Sequence, residues 1–79
     1  PEDAIDLLLK MIEADKDNVL NRLKLAKLYC NSCKHNYTHC EDALWQLNTI
    51  IESDSTVLSA KEMLKDLNNF LEVKTKTKP

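Results

Sequence analysis

One stretch of this chain occurs twice, and no other feature restricts its possible folds as strongly. Residues 41–54 match residues 2–15 at an offset of 39, and seven of the fourteen aligned positions are identical. In both copies apolar residues recur at the spacing of a helix with one buried face. A stretch that returns at a fixed period of about 20–50 residues is typical of stacked helical repeats. The sequence therefore predicts two equivalent helices in successive layers.

Composition predicts an all-α fold. The 79 residues include no glycine, and the two prolines stand at the ends of the chain. Without glycine the chain has no residue that adopts positive φ angles at low cost, and long β-branched runs are absent. A chain this short buries only about 60% of its unfolded surface, so we expect one small domain or part of a larger one.

Apolar periodicity divides the chain into about four helices. They are predicted over residues 3–14, 18–30, 38–53 and 56–71. The polar segment 31–37 is expected to be a loop, and Thr38 with Glu41 has the pattern of a capping box at the start of the third helix. Residues 1–72 thus form the predicted helical segment, and the basic segment 73–79 is expected to be a disordered tail.

The second predicted helix is apolar nearly all round, which is typical of a helix covered on more than one side. It is expected to lie between the first and third helices. The fourth has one apolar stripe, as expected for the end of a stack.

These helices resemble tetratricopeptide repeats, which have two helices per repeat and a period near 34. The second predicted helix has the family's large, small and tyrosine positions, and the third has its small and large apolar positions. The matching residues are Leu25, Ala26, Tyr29, Ala43, Leu47 and Ile50. The chain departs from the family in its period of 39, in the absence of a closing proline, and in Arg22, where the family often has tryptophan.

The resemblance implies antiparallel helical hairpins stacked as a segment of a right-handed superhelix, and a fragment of a larger array. It also implies that a partner's peptide or helix binds to the concave surface. One subgroup of the family binds chaperone tails through a Lys and Asn pair. Leu23 and Lys27 stand at those places here, so chaperone tails are not predicted ligands.

The sequence predicts a non-catalytic scaffold for protein–protein interaction. No Ser/His/Asp arrangement, glycine-rich phosphate loop or pair of carboxylates in a plausible cleft indicates an enzyme. The net charge of −2 argues against nucleic-acid binding, and no apolar run is long enough to span a membrane. We expect a cytoplasmic or nuclear protein whose partners are other proteins or further repeats of the same chain.

Three apolar residues are candidate partner-binding residues. Trp45 lies opposite the apolar stripe of the third predicted helix, and its counterpart in the first copy is the polar Asp6. It is either an exposed interface anchor or a cover for the preceding loop. Leu7 and Leu9 lie off the stripe of the first helix, which suggests that a preceding helix or a second copy of the chain covers them. A self-associating module, including a homodimer, is therefore an alternative.

All cysteines and histidines of the chain lie within eleven residues: Cys30, Cys33, His35, His39 and Cys40. Thiolates and imidazoles at short spacing are ligands of tetrahedral zinc, so a zinc-stabilised module is a second alternative. At most four of the five can bind one ion. His39 and Cys40 are neighbours in the first turn of the predicted third helix, and adjacent helical residues point about 100° apart. If no metal binds, Cys30 is expected to be a buried apolar residue and the remaining cysteines and histidines to be solvated. A third interpretation is that Cys30 and Cys33 form a redox pair. The odd number of cysteines excludes a complete internal disulfide framework and favours reduced thiols. No cofactor is expected unless zinc binds.

Asn36, Tyr37 and Thr38 form an acceptor triplet for N-linked glycosylation. The triplet has a function only in a secreted protein. In a cytosolic protein we expect it to carry none.

Overall fold

The computed structural model describes the backbone of residues 2–76 and contains four helices in that range. They are α1 (Glu2–Ala14), α2 (Val19–Asn36), α3 (Cys40–Ser53) and α4 (Leu58–Lys76). Within these residues there is no strand, so the predicted all-α class is confirmed. None of the described helices is long and apolar enough to cross a bilayer.

Helix α2 lies at the centre of the molecule, where it contacts α1, α3 and α4, and α3 also contacts α4. Within residues 2–76, α1 contacts only α2. The molecule measures 45 × 29 × 14 Å. Its shortest dimension matches two helix layers, because packed helix axes lie about 8–10 Å apart and the Cα atoms about 2.3 Å from each axis. The predicted position of the second helix between the first and third is confirmed.

The two copies of the repeated stretch are buried to different extents. Ala43 and Ile50 of α3 are fully buried, whereas their counterparts Ala4 and Met11 of α1 are exposed. The reason is the number of neighbours, because α3 packs between α2 and α4 while α1 has one partner among the described helices. Ile5, Leu8 and Ile12 of α1 are nevertheless buried, so the two copies bury different parts of the same pattern.

α2 begins at Val19, one residue after its predicted start. Asn18 is the N-cap, and its side-chain oxygen accepts a hydrogen bond from the backbone N–H of Asn21 at 3.0 Å. This bond satisfies one of the donors that the first turn of a helix leaves unpaired.

The end of α2 and the start of α3 correct the predicted boundaries. α2 continues through most of the expected loop 31–37 and ends at Asn36. The capping box is not formed, because α3 begins at Cys40 and its N-cap, His39, makes no side-chain capping bond. Thr38 instead bonds to Asn36.

The end of α4 also differs from the prediction. α4 extends to Lys76, so residues 73–76 of the expected disordered tail are helical. The remaining residues of that tail, 77–79, lie outside the described part of the chain.

Candidate functional sites at the α2–α3 corner and the α2–α4 groove

A disulfide joins the two helices that meet at the α2–α3 corner, defined here as residues 33–40. Cys33, in the last turns of α2, is bonded to Cys40, the first residue of α3, with a Cα–Cα distance of 4.8 Å. The expectation of reduced thiols is therefore wrong for these two residues. The sequence argument failed because an odd count excludes a complete framework but does not exclude one bridge.

Two residues of this corner adopt the left-handed conformation that glycine normally supplies. Tyr37 has φ 61° and His39 has φ 63°. Each such residue costs about 1–3 kcal/mol and persists only where its surroundings hold it. The chain makes its positive-φ turns without glycine, contrary to the simplest expectation from composition.

Aromatic contacts attach the corner to the helices on both sides. The ring of His39 lies 4.8 Å from that of Tyr29 on α2, and Tyr37 stacks on Phe70 of α4 at 5.9 Å between ring centroids. His39 Nδ1 also lies 2.9 Å from an oxygen of Asp42. These contacts and the disulfide hold the two residues in place and so offset the backbone cost.

The structure does not assemble the predicted zinc ligands. Cys33 and Cys40 are used by the disulfide, and the exposed His35 lies on α2, outside the contacts that hold His39. Among the described residues no three His, Cys, Asp or Glu side chains form a group that could hold a metal ion.

Cys30 is the chain's free cysteine. Its side chain is only 6% exposed, and this burial is the main reason that the pKa of the thiol is raised. The positive charge of Lys34 opposes the increase, and the carboxylate of Asp66 adds to it. A raised pKa keeps the thiol protonated and unreactive, so the structure favours a packed apolar residue over a redox partner of Cys33.

A groove of about 470 Å³ separates α2 from α4. Its most buried lining residue is Cys30, and the half-buried side chains of Leu23 and Met63 add apolar surface on either side. The groove thus has an apolar base between two helices, with polar and charged groups around it.

The charges around the groove are mainly positive. Lys24, Lys27 and Lys34 line it from α2, and the acidic residue that lines it is Glu62 of α4. Lys34 forms an ion pair with Asp66. Lys24 and Lys27 have no ion-pair partner among the described residues. The groove is therefore a basic site on a chain whose net charge is −2.

The predicted partner-binding residues lie outside this groove. Trp45 is 60% exposed on α3, as predicted for its position opposite the apolar stripe. Leu7 and Leu9 are exposed on α1. α1 and α3 do not contact each other within the described residues, so Trp45 does not join Leu7 and Leu9 in one assembled patch.

Sequence reasoning missed the groove, although a signal was present. Leu23, Lys27, Cys30 and Lys34 follow one another at three- and four-residue spacing, which is one face of a helix. The predicted second helix stopped at residue 30, so Lys34 was assigned to a loop. Without that residue the row of lysines along one face was not apparent.

Comparisons of this chain with protein-family models, with curated proteins and with solved structures found no match.

Proposed function

We propose that this chain is a tetratricopeptide-like helical segment that acts as a non-catalytic interaction scaffold, with the α2–α4 groove holding an acidic, extended peptide of a partner protein. The single observation that carries this proposal is one groove that combines an apolar base with two lysines, Lys24 and Lys27, that have no ion-pair partner among the described residues. The ligand is a peptide with alternating apolar and acidic side chains. Cys30 and Met63 would contact the apolar side chains, and Lys24 and Lys27 the acidic ones.

The arrangement of the helices supports the repeat interpretation. α2 and α3 form a sequential pair, and α2 also contacts α4. In the repeat interpretation α4 is the first helix of the next pair. Stacking of this kind leaves a groove between the first helices of neighbouring repeats. The α2–α4 groove occupies that place, so its location agrees with what the resemblance implies about peptide binding.

The expected cytoplasmic or nuclear location depended partly on reduced thiols, and the Cys33–Cys40 disulfide removes that support. Disulfides persist mainly in oxidising compartments.

A binding titration tests the proposal. A short fluorescein-labelled peptide of alternating glutamate and leucine is added to the protein, and its fluorescence anisotropy is followed. We expect saturable binding that weakens with added salt, because the charges lie at the surface. Lys24→Glu and Lys27→Glu should each weaken binding roughly tenfold, which corresponds to about 1.4 kcal/mol.

The matched control is Lys10→Glu, an exposed lysine on α1 outside the groove, which should leave the affinity unchanged. A peptide of alternating lysine and leucine should not bind. Equal binding of both peptides, or full affinity in the groove variants, would contradict the proposal. Loss of binding in Trp45→Ala with unchanged groove variants would assign the interaction to the surface around Trp45.

A further inference from the structure

The glycosylation triplet lies at an accessible point of the α2–α3 corner. Asn36 is the last residue of α2, and Tyr37 and Thr38 follow it outside the helix. All three residues are exposed. This is the chain's only Asn-x-Ser/Thr triplet. The left-handed conformation of Tyr37 ends the helix here, so the triplet is not enclosed in helical backbone.

Two hydrogen bonds polarise the amide of Asn36. Its side-chain oxygen accepts one from the backbone N–H of Thr38 at 3.3 Å and one from the Thr38 hydroxyl at 2.5 Å. Donors at this oxygen stabilise the negative charge that develops there when Nδ2 loses a proton. Nδ2 takes part in neither bond. The turn therefore favours the form of the amide in which nitrogen is nucleophilic.

A second turn in the chain shows the electrostatic effect of the same two donors. One carboxylate oxygen of Asp54 accepts bonds from the Thr56 hydroxyl at 2.5 Å and from the Thr56 backbone N–H at 3.0 Å. The pKa of Asp54 is lowered, first by the hydroxyl and then by the N–H. In this turn geometry, a threonine two residues ahead thus stabilises negative charge on the oxygen that it contacts.

The disulfide supplies an independent indication of the environment. Cys33 and Cys40 enclose the triplet, and their bond is of the kind that forms in oxidising compartments. N-linked glycosylation of Asn-x-Ser/Thr likewise belongs to secreted proteins. Two chemically unrelated features of one corner therefore indicate the same compartment.

We propose that Asn36 is a site of N-linked glycosylation, modified in the compartment where the Cys33–Cys40 disulfide forms. The donor is an oligosaccharide linked through its C1 atom to a polyprenyl diphosphate. Asn36 Nδ2 forms a bond to C1 and loses a proton, while the bond between C1 and the phosphate oxygen breaks. Polyprenyl diphosphate leaves with the bonding electron pair. The compartment in which Asn36 would be glycosylated differs from the cytoplasmic or nuclear location expected from the sequence.

Mass spectrometry of the protein from its natural source tests the proposal. After reduction, trypsin releases the peptide of residues 35–61, because Lys34 and Lys61 flank it and no lysine or arginine lies between them. Treatment with peptide N-glycosidase in water enriched in heavy oxygen should convert residue 36 to labelled aspartate. A peptide that is unmodified throughout would overturn the proposal.

Secretion of variants from eukaryotic cells tests the residues individually. The chain with an added secretion leader should acquire one glycan, which Asn36→Gln and Thr38→Ala should lose. Thr38→Ser keeps the hydroxyl and should keep the glycan. Asn31→Gln changes an exposed asparagine five residues earlier on α2 and should also keep it. A glycan retained in Asn36→Gln, or a secreted unaltered chain that has the disulfide but no glycan, would overturn the proposal.

Discussion

Among single residues, Arg22 and Gln46 are the pair that connects α2 to α3 through a buried polar contact. Gln46 is only 6% exposed, and its Oε1 accepts a hydrogen bond from Arg22 Nη1 at 3.1 Å. Arg22 Nε donates a second bond to the carbonyl of Lys16 at 3.2 Å. Arg22 stands at a position where tetratricopeptide repeats, which the sequence resembles, often have tryptophan. It uses its guanidinium to satisfy two acceptors where an indole could serve only one.

Replacing Arg22 alone should be costly, because it leaves a buried acceptor unpaired. We expect Arg22→Met to lower the free energy of unfolding by about 1–3 kcal/mol. The double variant Arg22→Met/Gln46→Leu should recover most of that loss, since neither polar group is then left unpaired. Urea unfolding monitored by circular dichroism measures the stability of both variants. The urea concentration at the midpoint should change, and the slope of the unfolding free energy against urea concentration should stay constant.

Lys27→Met is the matched control for that series, because it makes the same kind of change at an exposed position of the same helix. Its effect should stay within about 0.5 kcal/mol. A double variant no more stable than Arg22→Met would show that packing of the arginine, and not the unpaired amide, causes the loss.

Among the helices and their connections, the α2–α3 corner has the strongest constraints. Three residues separate α2 from α3, and the disulfide, the His39–Tyr29 contact and the Tyr37–Phe70 stack all act on this segment. Two of those residues have positive φ. The corner is therefore an element whose conformation depends on cross-links and not on local preference.

Removing the disulfide should destabilise the protein measurably. Cys33→Ser/Cys40→Ser should lower the free energy of unfolding by about 2 kcal/mol, the value expected for opening so short a loop. Thermal unfolding with and without reductant measures this. The double variant should no longer respond to reductant, whereas Cys30→Ala should still respond.

Thiol counting gives an independent check on the same bond. The denatured, unreduced chain should take up one alkyl group, at Cys30, and the reduced chain three. Three modified thiols without reductant would show that the bond is absent.

At the scale of the whole molecule, stability should decrease from the central helices towards α1. α2 contacts three helices and α3 contacts two, while α1 contacts one among those described. In a stacked arrangement each element is stabilised by its neighbours. Local opening is easiest where few buried contacts must be broken.

Hydrogen exchange should therefore distinguish the two copies of the repeated stretch. Amides of residues 43–50 should exchange only on global unfolding, and those of residues 4–11 should open about 1–2 kcal/mol more easily, or roughly tenfold faster. Two-dimensional NMR in heavy water measures both sets in one sample. The comparison has its own control, because the two segments are copies with similar apolar patterns. Equal protection would show that α1 unfolds only together with the central helices.

Much of the fold was predictable because it depends on local patterns. The apolar spacing identified all four helices and placed the start of the second within one residue of Val19, where Asn18 bonds to the first turn of its own helix. The outward position of Trp45 followed from helical geometry and from Asp6 in the first copy. These features involve residues close in sequence, or the burial of one helix face.

The candidate sites were less predictable because they depend on contacts between distant residues. Polar composition suggested that residues 31–37 form a loop, yet α2 continues there beside α4, where Lys34 pairs with Asp66. The positive φ of Tyr37 has no local signal, and histidine, although enriched among the non-glycine residues at positive φ, adopts it too rarely for His39 to be predicted. The groove needs α4 as its second wall.

The sequence by itself determined the helices and the repeat, because hydrophobic periodicity acts within each segment. Only the tertiary structure decided which cysteines pair, which residues of each copy are buried, and where the lysines meet an apolar base. Pairing of Cys33 with Cys40 requires their Cα atoms to lie close together, and that distance is set by how α2 packs on α3. Burial likewise depends on how many neighbours a helix has, which its own sequence does not specify.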